Sequence, residues 1–148
     1  MSRASLPRAS QRLSLASYVR LMRAANSARM HASRNLGDSE LTLTQFAVLE
    51  ALYHLGPLSL TEIARKVLTT GGNLTMVAGN LERDGLVERE KSREDGRVQI
   101  LGITEKGTIL MDQVFPVHAS AITEFMRALK PAELEQLGEL CRKLGEQE

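Results

Sequence analysis

Apolar residues recur along the chain at spacings of three and four, the pattern of helices that bury one face. This pattern predicts a first helix over residues 11–35 that ends near Gly37, and a second helix that ends before Gly56 and Pro57. Thr44 is the expected N-cap of the second helix, because its hydroxyl can accept from a free backbone amide. The apolar positions of the second helix are Phe46, Val48, Leu49, Leu52 and Tyr53.

Two short helices follow, with a break between them. Ser59 and Glu62 have the spacing of a capping box, in which each side chain bonds the other's backbone amide, so a third helix begins here. The break at residues 69–72, Thr-Thr-Gly-Gly, predicts a turn before a fourth helix that runs through Asp84 and ends at Gly85. The inward positions of the fourth helix are Leu74, Val77, Ala78 and Leu81.

The pattern then changes to that of strands. Residues 86–90 and 97–101 predict a β-hairpin, with the polar segment 91–96 as its exposed tip. Thr104 is a suitable cap for a long fifth helix, in which Pro116 is expected to cause a bend, and Pro131 opens a sixth helix. An apolar stripe on the sixth helix contains Leu134, Leu137, Cys141 and Leu144.

This order of elements predicts a mainly α fold with a small β-hairpin wing, a winged helix-turn-helix. Residues 41–104 form its DNA-binding lobe, in which the second short helix enters the major groove. Residues 1–10 are expected to be a flexible arm. Residues 11–40 and 105–148 carry more apolar surface than one small core covers, so we expect a helical lobe that pairs two chains.

Composition and charge narrow the class of protein. The chain of 148 residues is 43% hydrophobic and long enough for one core, and no apolar stretch reaches the length of a membrane span. Its only cysteine, Cys141, forms no intramolecular disulfide and is compatible with the bacterial cytoplasm, where we place the protein. No phosphate-binding loop or nucleophile elbow occurs, so we expect neither an enzyme nor a cofactor.

The net charge of +1 conceals an uneven distribution of charge. The first 36 residues contain seven arginines and no acid, whereas the segment from Glu105 onward holds eight acids and five bases. An arginine-rich start is also typical of a transit peptide. We favour a basic helix, because Tyr18, Val19, Met22 and Ala25 share one helical face.

Several motifs occur in fixed order between Leu41 and Gly107. They read LTLTQFAVLEAL, LTEIARKV, NLERDGLVER and, at the hairpin, DGR followed by ITEKG. On these motifs the chain resembles the MarR family of bacterial winged-helix regulators, and the flanking helices extend the resemblance over nearly the whole chain. The resemblance implies a triangular homodimer in which each recognition helix and wing addresses half of a near-palindromic operator in double-stranded DNA.

The resemblance also implies which residues contact DNA. Asp95 and Arg97 match the wing positions at which the family places an arginine in the minor groove. Gly96 replaces a second arginine that relatives often have, which predicts a weaker or more flexible contact of the wing with DNA. Lys91 and Arg93 are either phosphate contacts or charges that keep the hairpin soluble. The groups offered by the recognition helix are Thr70, Asn73, Thr75, Met76 and Asn80.

Asparagine can pair with adenine, whereas threonine and methionine can meet a thymine methyl group. No lysine or arginine lies between Lys66 and Arg83, which leaves the base specificity open.

Relatives commonly bind small aromatic acids or phenols in a cleft between the two lobes. The residues that can line such a cleft are Tyr18, Met22, Tyr53, His54 and His118. Plain helix packing is an equal alternative for each of them.

Metal binding and redox sensing are not expected. The spacing of the three histidines, His31, His54 and His118, matches no metal-ligand motif, so we expect no metal. Cys141 is interpreted as a buried small hydrophobe rather than a redox sensor, because it lies on an apolar stripe.

The sequence therefore predicts a sequence-specific transcriptional regulator, a repressor that a small aromatic or phenolic ligand releases from DNA. The alternative is a constitutive winged-helix protein that coats DNA or binds another protein without a ligand. Discrimination between operator and random DNA at fixed salt separates the two interpretations.

Overall fold

The computed structural model describes residues 8–67 and 71–146. The helices are α1 (Ala9–Arg34), α2 (Leu43–Leu55), α3 (Leu60–Lys66), α4 (Gly71–Arg83), α5 (Glu105–Met126) and α6 (Pro131–Gly145). The strands are β1 (Leu58–Ser59), β2 (Val87–Lys91) and β3 (Gln99–Ile103), and a single 3₁₀ turn (Gly37–Ser39) links α1 to α2. The predicted mainly α fold with a hairpin wing is confirmed. Only part of the predicted arm 1–10 is described, and there the helix α1 already begins at Ala9.

Capping boxes start both α2 and α3. The prediction that Thr44 caps α2 is wrong, because the cap is Thr42, whose hydroxyl accepts from the Gln45 amide at 3.2 Å while its own amide donates to Gln45 Oε1 at 2.9 Å. The predicted box of Ser59 and Glu62 is confirmed, with distances of 3.2 Å and 2.8 Å for the two reciprocal bonds. Each box fixes where a helix of the DNA-binding lobe begins.

The core lies between α2, α3, α4, the sheet and the start of α5. Its ten largest fully buried side chains come from the elements just named and from the turn that precedes α2. They are Phe46, Leu36, Leu49, Leu52, Ile63, Leu74, Leu81, Leu101, Met111 and Val48. Residues 41–104 and the first turns of α5 therefore share one core.

The hairpin belongs to a three-stranded antiparallel sheet of order β1-β3-β2. The strand β1 was not predicted, since its two residues are too few to show an alternating pattern. Both hairpin strands lie one to two residues later than expected. Arg97 and Val98, predicted to be in a strand, lie in the turn, where the Val98 amide donates to the Asp95 carbonyl at 2.9 Å.

The end of α4 and the start of α5 meet closely. Gly85 has a φ of +74°, a left-handed conformation that ends the helix as predicted. Thr104 caps α5, also as predicted, and its hydroxyl donates to the Gly85 carbonyl at 2.7 Å. Gly107 is buried here, and a Cβ added to it would lie 2.2 Å from the carbonyl oxygen of Leu86. Only glycine allows this approach of α5 to the chain that follows the recognition helix.

The two ends of α1 have different surroundings. Near its C-terminus Ala32 is buried, and His31 packs on α5, with Nε2 3.1 Å from the Ala121 carbonyl oxygen and its ring 5.3 Å from that of Phe125. From residue 9 to residue 27 every side chain except Ala16 is exposed. The large apolar side chains exposed on α1 are Leu13, Leu15, Tyr18, Val19, Leu21, Met22 and Met30.

The apolar stripe of α6 is likewise uncovered. Leu134 and Leu137 are half-buried, whereas Leu144 is 56% exposed. Cys141 is exposed in the single chain, so its interpretation as a buried hydrophobe is wrong there. The reason is that the described part of this chain places no element over the C-terminal half of the stripe.

Candidate DNA-binding surface and ligand cleft

The recognition helix α4 has one buried and one exposed side. Its four predicted inward residues are all buried. Of the residues predicted to contact DNA, Asn73, Thr75 and Met76 are exposed and Asn80 is half-buried. Thr70 lies outside the described residues. Gly71 and Gly72, which were predicted to be in the turn, already belong to the helix. The structure thus presents a mostly polar helical face with one large apolar side chain, Met76.

The wing is organised around a single carboxylate. Asp95 Oδ1 accepts from the backbone amide of Arg97 at 3.0 Å and from its Nε at 3.2 Å. The Arg97 side chain is nonetheless 93% exposed, so the ion pair orients the guanidinium group without covering it. Lys91, at the end of β2, and Arg93, in the tip, are exposed as well. The wing presents cationic side chains on a turn that is fixed by its own hydrogen bonds.

An ion pair joins the wing to the recognition helix. Arg89 Nε, on β2, lies 3.3 Å from Glu82 Oε2, on the last turn of α4, and the Arg89 side chain is only 23% exposed. Sequence reasoning missed this pair, although both residues occur in the motif NLERDGLVER. The contact links the orientation of β2 to that of α4.

Tyr53 and His54 belong to an aromatic cluster between α2 and α5. The Tyr53 hydroxyl donates to Asp112 Oδ1 at 2.5 Å, and this hydrogen bond raises the pKa of Tyr53, helped by desolvation and by the charge of Asp112. The His54 ring lies 5.0 Å from the Tyr53 ring and 4.7 Å from the Phe115 ring. Phe115 and Asp112 were not among the predicted cleft residues.

His118 lies in a separate contact one turn further along α5. Its ring centroid is 4.2 Å from that of Phe46, and its Nδ1 is buried without a hydrogen-bond partner among the residues that the structure describes. Burial lowers the pKa of His118, while the carboxylate of Glu50 acts in the opposite direction. A buried ring nitrogen without a partner is costly unless a ligand or a water completes it.

An open pocket of about 410 Å³ lies along the outer face of α2 and the end of α3. Its lining residues are Ala47, Glu50, Ala51, His54, Leu55, Lys66 and Val67. Among the five predicted cleft residues only His54 lines it. Tyr18 and Met22 are exposed on α1. The single chain therefore assembles three of the five predicted residues around α2 and α5, in two neighbouring clusters.

Two short helices, of which the second is the exposed recognition helix, and an adjoining hairpin wing define a winged helix-turn-helix DNA-binding protein. The model of the MarR family matches residues 41–98. The HTH-type transcriptional regulator MhqR of Bacillus subtilis is 38% identical over 132 residues, which are 89% of this chain and 91% of that protein. The chain therefore belongs to the MarR family.

Solved structures agree with this assignment. Sco3205, a MarR family regulator of Streptomyces coelicolor in complex with DNA, has a TM-score of 0.83 and 26% identity over 97% of this chain and 91% of its own. BpsR of Bordetella bronchiseptica, whose DNA binding is regulated by 6-hydroxynicotinic acid, has a TM-score of 0.79 and 25% identity over 86% of this chain and 91% of its own.

The chain is accordingly a transcriptional regulator that binds double-stranded DNA. The curated relatives are named as regulators rather than as enzymes. Within residues 8–67 and 71–146, no helix has the length and apolar character needed to cross a membrane. The same residues contain no group of three or more side chains suited to hold a metal ion.

Proposed function

We propose that this protein is an operator-specific repressor of the bacterial cytoplasm, released from DNA by a small hydroxylated aromatic ligand. The observation that carries the DNA-binding part is the pairing of an exposed α4 with an Arg97 guanidinium that is oriented by Asp95 and 93% exposed. A guanidinium held in this way is suited to the negative potential of a narrow minor groove. The exposed polar side of α4 then faces the adjacent major groove.

The dimer is proposed to form through residues 11–40 and 105–148. Exposed apolar side chains on α1 and α6 support this, because a folded chain seldom leaves so large an apolar surface in water. Charge supports it as well. The helix α1 has basic residues and no acidic ones, whereas the first half of α6 carries Glu133, Glu135 and Glu139, and the bases of α6 lie only in its last turn. The helix α1 of one chain and the first half of α6 of the other therefore attract each other.

The ligand site is proposed beside His118 and Glu50. Glu50 lines the open pocket of about 410 Å³ along α2, which has room for one aromatic ring. A hydroxyl group on that ring can donate to the Glu50 carboxylate or bond the buried Nδ1 of His118, which lacks a partner in the structure. Tyr18 and Met22 of the second copy are proposed to close the site, since both are exposed on α1.

Operator specificity is tested with the full-length protein at fixed salt. Duplexes selected from fragments of the source genome should bind at least a thousandfold more tightly than random DNA of the same length. Equal binding to all duplexes would favour the constitutive DNA-coating alternative.

The ligand response is tested by titrating hydroxylated aromatic acids, phenols and quinones against a preformed operator complex. The bound ligand is expected to change the separation of the two recognition helices, which must match half-sites about 34 Å apart. His118→Phe keeps an aromatic ring but removes Nδ1, so the ligand's effect on operator affinity should fall at least about tenfold. His31→Phe, the same change outside the cleft, should keep the response. If no compound of this panel lowers the operator affinity of the wild type, the constitutive regulator is the better interpretation.

A further inference from the structure

The outer side of α4 has a distinct composition. Residues three and seven apart share one side of a helix, which places Met76, Gly79 and Arg83 in a row opposite the buried residues. Met76 is 61% exposed and the Arg83 side chain 71% exposed. A Cβ added to Gly79 would meet nothing within 4 Å, so the helix backbone lies open beside Met76. The row therefore has an apolar start, a bare middle and a cationic end.

This row restricts which bases α4 can read. Guanine is recognised in the major groove chiefly by bidentate arginine or lysine, and the sequence has neither from residue 67 to residue 82. Thymine instead presents a methyl group, which an apolar side chain contacts and a charged one does not. Of the described side chains of α4, Met76 is the large apolar one exposed to solvent. An unbranched thioether adapts to a neighbouring methyl group without a demanding geometry.

We propose that Met76 contacts a thymine methyl group in each operator half-site, and that α4 reads this part of the operator as A·T pairs rather than through guanine. The proposal rests on the operator binding proposed above. The bare backbone at Gly79 allows the duplex to approach the helix, because no side chain holds it away from Met76. Arg83 lies about 10.5 Å further along the axis, beyond the base that Met76 contacts.

The expected effect follows from the size of the contact. Removing one methyl group from a buried apolar contact should weaken binding roughly threefold to fivefold. Replacing thymine by deoxyuridine removes that methyl group and keeps every hydrogen-bonding group of the base pair. The effect of the substitution therefore isolates the apolar contact from the rest of the readout.

The experiment uses the full-length protein and an operator selected from random duplexes. Each thymine of one half-site is replaced in turn by deoxyuridine, and affinities are compared at fixed salt for the wild type, Met76→Ala and Met76→Leu. One position per half-site should weaken wild-type binding roughly threefold to fivefold. Met76→Ala should no longer distinguish the two bases there, whereas Met76→Leu, which keeps an apolar side chain of similar reach, should.

Ile109→Ala provides the matched control. Ile109 is 53% exposed on α5, outside both α4 and the wing, so its variant should show the wild-type ratio between thymine and deoxyuridine. If no sequence is selected over random DNA, the proposed function itself fails. If a sequence is selected but every thymine replacement is neutral, if Met76→Ala keeps the sensitivity, or if the half-site core consists of G·C pairs, the methyl contact is refuted while operator binding stands.

Discussion

Asp95 shows how one side chain can prepare another for DNA. It accepts from the Arg97 amide and from Nε of the same residue, so the loop and the guanidinium group share one anchor. An exposed ion pair of this kind adds little to folding stability. It does reduce the number of orientations that Arg97 loses on binding, which lowers the entropic cost of entering the groove.

Replacement of Arg97 by Ala should weaken operator binding by about 1–3 kcal/mol and leave the thermal midpoint unchanged. The side chain is 93% exposed and contributes no packing to the core. Binding isotherms and thermal unfolding of the same samples measure both effects. Unchanged affinity would show that the wing does not enter the minor groove, as expected if glycine at position 96 abolishes this contact.

His118 should make the stability of the protein sensitive to mild acid. Burial lowers its pKa in the folded chain below the ordinary value of 6.5. The unfolded chain therefore takes up a proton first as the pH falls, and the stability present above the unfolded pKa is lost below it. Between about pH 8 and about pH 5, urea unfolding should show a larger loss for the wild type than for His118→Phe. An equal loss of unfolding free energy in the two proteins over this pH range would contradict the prediction.

At the scale of elements, the joint between α4 and α5 connects the DNA-binding lobe to the long helix that leaves it. Besides the bonds of Thr104, the Lys106 ammonium group donates to the Asp84 carbonyl oxygen at 2.7 Å, at the last turn of the recognition helix. A cation is favourable there because of the helix dipole. The first turn of α5 and the end of α4 therefore move together.

Gly107→Ala tests this joint. The added methyl group would lie 2.2 Å from a backbone carbonyl oxygen, which cannot move aside as a side chain would, so we expect a loss of about 1–3 kcal/mol in the free energy of unfolding. Gly79→Ala is the matched control, since its Cβ meets nothing within 4 Å and alanine favours a helix. Denaturant unfolding should therefore give opposite signs for the two variants.

Elements with a local signal were predictable from the sequence. The capping box at Ser59, the glycine at position 85 and the proline at position 131 each determine a boundary through their own chemistry. The box that starts at Thr42 is also visible in the sequence, with Gln45 three residues later, but Thr44 offers the same hydroxyl two residues further along. Contacts that depend on how two elements pack together had no such signal, which is why the ion pair of Arg89 on β2 with Glu82 on α4 was missed although the two residues are close in sequence.

At the scale of the whole molecule, single-chain patterns cannot distinguish a surface for water from one for a second copy. Cys141 was predicted to be buried because its stripe is apolar, yet nothing in the described part of the same chain covers it. The three cleft residues on α2 and α5 come together within the chain. The two on α1 are expected to approach the cleft only across the dimer.

Light scattering at micromolar concentration should give twice the chain mass of 16.3 kDa. Val19→Glu, which places a charge on the exposed apolar face of α1, should shift the protein toward the monomer. Val98→Glu is matched in residue type and similar in exposure, 38% against 42%, but lies on the wing, and it should remain a dimer. A stable wild-type monomer, or equal behaviour of the two variants, would contradict a dimer interface on α1.

The uncovered half of α1 links the amount of this regulator to its own folding. A helix with no packed neighbour is marginal in water, so in the proposed dimer residues 9–27 would gain most of their order when two chains meet. At chain concentrations below the dissociation constant of the dimer, the amount of dimer would follow the square of the chain concentration. Halving synthesis would then remove about three quarters of the dimers. The occupancy of an operator would therefore depend more steeply on the rate of translation than it would for a regulator that folds and binds DNA as a monomer.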